Sequence, residues 1–150
     1  MAVLKQVVVS GGFDDLKSRD LRFLEEAAKL GELTVLLWPD AVLEKLNGKA
    51  SKFPLAERSY FLNAVRYVSR VVEADTAEDF NSLPKNFRAD VWADVAATAN
   101  PARETFAAEN KITRRIFTAD NLKGFPEPPP MPSAPGKKKV VVTGSFDWFH

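Results

Sequence analysis

Residues Val7–Lys17 read VVVSGGFDDLK, and residues Val140–His150 read VVVTGSFDWFH. At an offset of 133 residues six of the eleven positions are identical, and Ser10 against Thr143 is a conservative seventh. Three consecutive valines alone reflect strand propensity and carry little information. A β-branched run followed by [ST]-G-[GS]-F-D, twice in one chain, points instead to a duplicated unit. In the first copy Gln6–Ser10 is a short buried strand, and Gly11-Gly12 supplies the tight turn that ends it.

Working outward, the hydrophobic period alternates between strand and helix. From Ser18 the residues Leu21, Leu24, Ala27 and Ala28 have helical spacing, with Ser18 as the expected N-cap and Gly31 as the stop. Leu33–Trp38 is a second buried strand, ended by Pro39. Asp40–Leu46 is a short helix closed by Asn47-Gly48. Leu55–Val68 is a longer helix with Phe61, Leu62, Val65 and Val68 on one face. Arg70–Glu73 is a third strand and Asp90–Val95 a weaker fourth. Pro101 opens a helix to about Glu109, because proline is tolerated in the first turn. Ile112–Thr118 is the last strand. Apolar strands alternating with helices predict a doubly wound α/β domain: a Rossmann-like, mostly parallel five-stranded sheet with helices on both faces. Ligands of such domains sit at the carboxyl ends of the strands.

Six of the ten prolines fall between Pro126 and Pro135, in GFPEPPPMPSAPGKKK. Such a stretch lacks regular backbone donors and favours extended polyproline II, so residues 124–138 read as a semi-rigid linker. The expected organisation is a domain over 1–123, this linker, and the start of a second, truncated copy over 139–150.

Composition narrows the function. Lys plus Arg number 21 against 20 Asp plus Glu, leaving no basic excess to neutralise phosphates, so non-specific nucleic-acid binding is excluded. Zero cysteine removes disulfides, thiol catalysis and thiolate metal sites. A single histidine, His150, removes any mechanism needing two imidazoles within these residues. No stretch approaches 18 consecutive apolar residues, and MAVLKQVVVSGG lacks a signal peptide's apolar segment, so a cytoplasmic protein without a membrane span is expected.

The strand-[ST]-G-x-F-D-x-x-H pattern resembles the opening signature of cytidylyltransferase-like nucleotidyltransferases, which continues as H-x-G-H into a helix. Ala28-Lys29-Leu30-Gly31-Glu32-Leu33 is similar to that family's helix exit. Trp38-Pro39-Asp40 falls where the family's second strand meets its Asp, and Glu57-Arg58 with Val65–Val68 resembles a further helical stretch. The two-copy arrangement is similar to ethanolamine-phosphate cytidylyltransferases. The resemblance implies transfer of a cytidylyl group from CTP to a phosphorylated alcohol or sugar, with pyrophosphate leaving. It implies Mg²⁺ arriving with the triphosphate, no protein metal site, and a homodimer or a contact with a second cytidylyltransferase domain.

Such chemistry is positioning plus electrostatic stabilisation of developing phosphate charge. Glycine after the strand admits backbone N–H groups to the phosphates, helped by the following helix N-terminus. By resemblance the nucleotide-binding candidates are Ser10, Gly11, Gly12, Phe13, Asp14, Lys17 and Arg58 in the first copy, and Thr143, Gly144, Ser145, Phe146 and Asp147 in the second. His150 falls on the first histidine of H-x-G-H and is the catalytic candidate if the second copy continues.

The first copy departs from the signature where it matters. Lys17, Ser18, Arg19 and Asp20 stand at the H-x-G-H positions, so both histidines and the small glycine are gone. Lys17 and Arg19 either hold phosphate as cations or form a solvated first turn whose Asp20 suits the helix dipole. Gly11–Asp14 either touch nucleotide or only maintain a tight turn with Phe13 in the core. Arg58 is either a phosphate ligand or the partner of Glu57 or another acid. Lys45 and Lys49 beside Asn47-Gly48 are read as solubilising. Ile116–Asn121 lacks the family's cation, Trp38 and Trp92 are read as core, and Asp90 with Asp94 makes no recognisable metal site.

Two functional readings follow. In one, the polypeptide is a tandem cytidylyltransferase whose second copy is active. In the other, residues 1–123 are a non-catalytic cytidylyltransferase-like domain with a regulatory or interaction role. The 1–150 chain alone is expected to be inactive in both. An unrelated dinucleotide binder ranks last, because G-x-G-x-x-G is absent.

Overall fold

The computed structural model describes residues 3–75, 80–85, 87–126, 130, 135–138 and 140–145. Nine elements follow one another: β1 (Gln6–Gly11), α1 (Ser18–Ala28), β2 (Glu32–Leu37), α2 (Asp40–Asn47), α3 (Leu55–Asn63), β3 (Arg70–Glu73), β4 (Val91–Val95), α4 (Pro101–Glu109) and β5 (Thr113–Phe117). The strands form one five-stranded sheet in the order β3-β2-β1-β4-β5, and every neighbouring pair is parallel. The expected Rossmann-like architecture is present, and its sheet is parallel throughout. The chain winds outward from β1 to β3, then crosses back to β4, so the direction switches between β1 and β4.

Period-two alternation is muted because both faces of the sheet are covered. On one face Val7, Val9, Leu33, Val35, Leu37, Val91 and Ala93 pack with Phe23, Leu24 and Ala27 of α1 and Leu62 of α3. Leu24, Leu33, Leu37 and Leu62 are completely buried, and each contributes roughly 1.5–3 kcal/mol by leaving water. On the other face Val8, Leu36, Leu83 and Trp92 form a smaller core against Phe106 of α4, Phe87 and Ile112. Trp92 is fully buried, in keeping with its reading as core.

Strand and helix ends mostly fall within a residue of the sequence expectation, and two departures have a clear physical cause. The N-cap of α1 is Lys17 rather than Ser18: Asp20 reaches back, and its carboxylate accepts the Lys17 backbone N–H at 2.8 Å. An acid at the third helical position makes the reciprocal half of a capping box, satisfying the N-cap's own N–H, whereas a Ser18 cap would have accepted from a first-turn N–H. The helix over Leu55–Val68 stops at Asn63. Beyond it the chain tightens into turns, with Val65 N–H on Leu62 O and Val68 N–H on Val65 O, both at 3.1 Å. The reason is the sheet: Ser69 N–H must reach Leu33 O at 2.9 Å so that Arg70 can register with Thr34. Val65 and Val68 still pack on the core, from turns rather than from a helix. At α2 the closing Gly48 takes φ +72°, the left-handed conformation that suits glycine, and donates to Glu44 O at 2.8 Å.

The described residues of 124–145 carry no helix or strand and are exposed. No helix among the described residues is long and apolar enough to cross a membrane.

Candidate site at the carboxyl ends of β1 and β2

The turn after β1 is built from Gly12, Phe13, Asp14 and Asp15. Phe13 and Asp15 adopt φ +46° and +63°, a left-handed conformation that costs a non-glycine residue about 1 kcal/mol or more and persists only when packing enforces it. Phe13 is held by the main core, against which its ring packs. Gly12 is required by close approach: a Cβ there would lie 2.3 Å from Leu43 Cδ2. The start of α2 therefore presses directly on the turn, in the space above the strand end.

Arg58 locks this arrangement. Its guanidinium is fully buried and reaches four segments at once. Nε donates to Phe53 O at 2.9 Å, Nη1 to Gly12 O and Trp38 O at 2.8 Å each, and Nη2 to Asp40 Oδ1 at 2.7 Å. Four of the five N–H bonds of a guanidinium are thus directed at the protein itself. The acid it pairs with is Asp40 of α2 rather than its neighbour Glu57. Asp40 also accepts from Ser51 Oγ at 2.9 Å and Leu55 N–H at 3.2 Å. The Arg58 hydrogen bond, ahead of these, holds the Asp40 carboxyl below its ordinary pKa of 3.8.

The remaining turn carboxylates are equally committed. Asp14 accepts the backbone N–H groups of Lys52 at 2.6 Å and Phe53 at 2.8 Å. Asp15 pairs with Lys52 Nζ at 3.0 Å and Lys17 Nζ at 3.6 Å. The Lys52 hydrogen bond above all keeps the Asp15 carboxyl low. Ser10 Oγ accepts from Trp92 Nε1 at 3.2 Å, tying β1 to β4 across the switch point. Gly11 O accepts the Trp38 N–H at 2.9 Å.

The structure therefore brings Ser10, Gly11, Gly12, Phe13, Asp14, Lys17 and Arg58 to one end of the sheet, where Arg58 bonds Gly12, and Ser10, Gly11, Asp14 and Lys17 are tied to Trp38, Lys52, Phe53, Trp92, Asp15 and Asp20. Thr143, Gly144 and Ser145 are exposed, whereas Phe146, Asp147 and His150 lie outside the described residues. Magnesium fits poorly at this end, because the oxygens of Asp14, Asp15 and Asp40 are engaged by backbone N–H groups and cations. Among the described residues no group of three His, Cys, Asp or Glu side chains is disposed to hold a metal. A narrow cavity of about 10 Å³ beside this end, lined by Leu36, Trp38, Val42 and Phe80, admits at most a water.

A second buried ionic cluster escaped the sequence reading. Asp94 of β4 pairs with Arg103 of α4 and, at 3.2 Å, with Arg114 of β5; all three side chains are buried. Thr98 Oγ1 also donates to Asp94. Arg103 lies over the Trp38 and Trp92 rings, 5.7 and 5.3 Å from their centroids. The signal was an acid inside an apolar strand followed nine residues later by an arginine on an amphipathic helix, which demands a buried partner.

No family model and no curated protein matches the chain. Among solved structures, the lipopolysaccharide core biosynthesis protein of Thermoplasma volcanium GSS1 superposes with a TM-score of 0.61 at 22% identity, over 77% of this chain and 96% of that one. The likeness is one of fold.

Proposed function

We propose that residues 1–123 are a non-catalytic, cytidylyltransferase-like domain that serves as a structural or regulatory partner to a catalytic copy beginning at Val140. The observation carrying this reading is the self-neutralised strand end. Where a nucleotidyltransferase presents free N–H groups and cations to a triphosphate, Asp20 occupies the Lys17 N–H. Arg58 is spent on Gly12 O, Trp38 O, Phe53 O and Asp40. An anion entering here would have to displace the Asp20 carboxylate from the Lys17 N–H, and three carbonyls and the Asp40 carboxylate from Arg58, and would meet Asp14, Asp15 and Asp20 at close range.

In the same reading the polypeptide's transferase chemistry belongs to the second copy. There Thr143-Gly144-Ser145-Phe146-Asp147 precedes His150 without interruption. Attack of a phosphorylated alcohol or sugar on the α-phosphate of magnesium-bound CTP would release pyrophosphate, with His150 donating to the triphosphate.

Calorimetry of the 1–150 chain with CTP and Mg²⁺, alongside a pyrophosphate-release assay, tests the first part. The expected result is neither saturable heat nor turnover, and turnover at ordinary enzyme rates would overturn it. For the second part, His150→Ala in the polypeptide extended past His150 should abolish transfer. Undiminished activity in that variant would refute the assignment.

A further inference from the structure

The amino ends of β1, β4 and β5, opposite the candidate site, enclose a cleft of about 410 Å³. Three cations line it from three different segments: Lys5 just before β1, Arg88 just before β4 and Lys111 just before β5. Their side chains are exposed, and none has a hydrogen bond or ion pair with another described residue. The single carboxylate in the lining, Asp90, is turned to structural work: its Oδ2 accepts the Gln6 N–H at 2.7 Å.

The floor is fixed by main-chain bonds. Asp90 N–H donates to Gln6 O at 2.8 Å, Thr113 N–H to Asp90 O at 3.0 Å, and Glu32 N–H to Lys5 O at 2.8 Å. Lys111 takes φ +57°, turning the chain back from α4 into β5. Three cations against one carboxylate line this concavity, in a chain whose net charge is only +1. An excess of positive charge lining a concavity raises the local concentration of anions. Val3 and Leu4, 80% and 64% exposed, supply an apolar wall beside the cations.

We infer that this cleft binds a small polyvalent anion of the phosphate class, in which Lys5, Arg88 and Lys111 supply the charge and Val3-Leu4 accommodates an apolar substituent. Arg88 offers the planar fork that suits phosphate oxygens, while the two lysines act as point charges around it. The cleft is separate from the strand carboxyl ends, so the inference does not depend on whether that end binds nucleotide.

The test is an amide-resolved NMR titration of the 1–150 chain with sodium tripolyphosphate at constant ionic strength. Saturable shifts are expected at Lys5, Arg88–Asp90 and Lys111–Thr113. The double variant R88Q/K111Q should weaken binding at least tenfold, about 1.4 kcal/mol or more, with an unchanged thermal midpoint showing that the fold survives. Three outcomes overturn the inference: no saturable shifts at millimolar probe, shifts centred on Lys17–Asp20 instead, or full binding by the double variant. Binding of anionic vesicles without any response to tripolyphosphate would also overturn it, in favour of a membrane surface.

Discussion

The Arg58 guanidinium lies 2.7 Å from the Asp40 carboxylate, yet the arginine is fully buried while Asp40 keeps 48% of its side chain exposed. The pair is therefore asymmetric: water can solvate the acid when the bond breaks but cannot reach the base. The cost of disruption must sit mainly with the three carbonyls that share Arg58.

Arg58→Ala is accordingly expected to destabilise the domain far more than Asp40→Asn. Removing the guanidinium leaves Gly12 O, Trp38 O and Phe53 O without their donor, and loss of one member of a buried ionic network costs about 3–5 kcal/mol. Asp40→Asn retains an acceptor for Nη2 and should cost only about 1–2 kcal/mol. Urea unfolding of both variants checks the order. Equal losses would show that the charge pair, not the carbonyl network, dominates.

Acid should unfold the domain partly through the same carboxylate. Hydrogen bonding to Arg58 lowers the Asp40 pKa in the folded state below its ordinary 3.8. A depressed folded pKa adds stability that is fully present above the ordinary value and is lost as pH falls through the lowered one. Asp15, held low first by Lys52, contributes with the same sign. Urea midpoints measured from about pH 6 down to about pH 2 should fall through the acid range, and Asp40→Asn should flatten that decline. An unchanged acid limb in Asp40→Asn would remove Asp40 from the account.

Much of this fold was legible because apolar runs and punctuation coincide. Arg70–Glu73 was placed to the residue, Pro101 opened α4 as expected, and Gly48 closed α2. Strand order was not legible, since periodicity reports burial but not neighbours, and the weakly patterned β4 proved central, between β1 and β5. The family resemblance grouped Gly11, Gly12 and Arg58, but gave no direction for the guanidinium, which depends on carbonyls 46 and 20 residues away. The Asp94–Arg103–Arg114 cluster was missed for the same reason: ionic partners on separate elements leave no local period.

Gly12→Ser is expected to weaken the first copy although serine is what the second copy carries at the matching position, Ser145. The new Cβ would fall 2.3 Å from Leu43 Cδ2 and 2.9 Å from its Cδ1, and Leu43 is buried. Forcing an extra side chain into a packed contact costs about 1–3 kcal/mol. Leu43→Ala alone should also destabilise, by cavity formation, but the double variant should lose less than the sum of the two. Strict additivity in thermal unfolding would mean that the two positions do not compete for the same space.

Asp20 offers the most direct test of the proposal that this strand end takes no phosphate. Its carboxylate accepts the Lys17 N–H at 2.8 Å, so it fills with the protein's own charge the place an anion takes at a helix start. Asp20→Ala should cost about 1 kcal/mol of stability by uncapping α1. On the proposed reading it should also add a weak saturable response of the Lys17–Leu21 amides to inorganic pyrophosphate, which the parent chain is expected not to give. Removing one negative charge and freeing one donor both favour that binding, and Lys17 and Arg19 are already in the same turn. A silent titration in a variant that remains folded would show that the Asp20 carboxylate is not what keeps an anion from this turn.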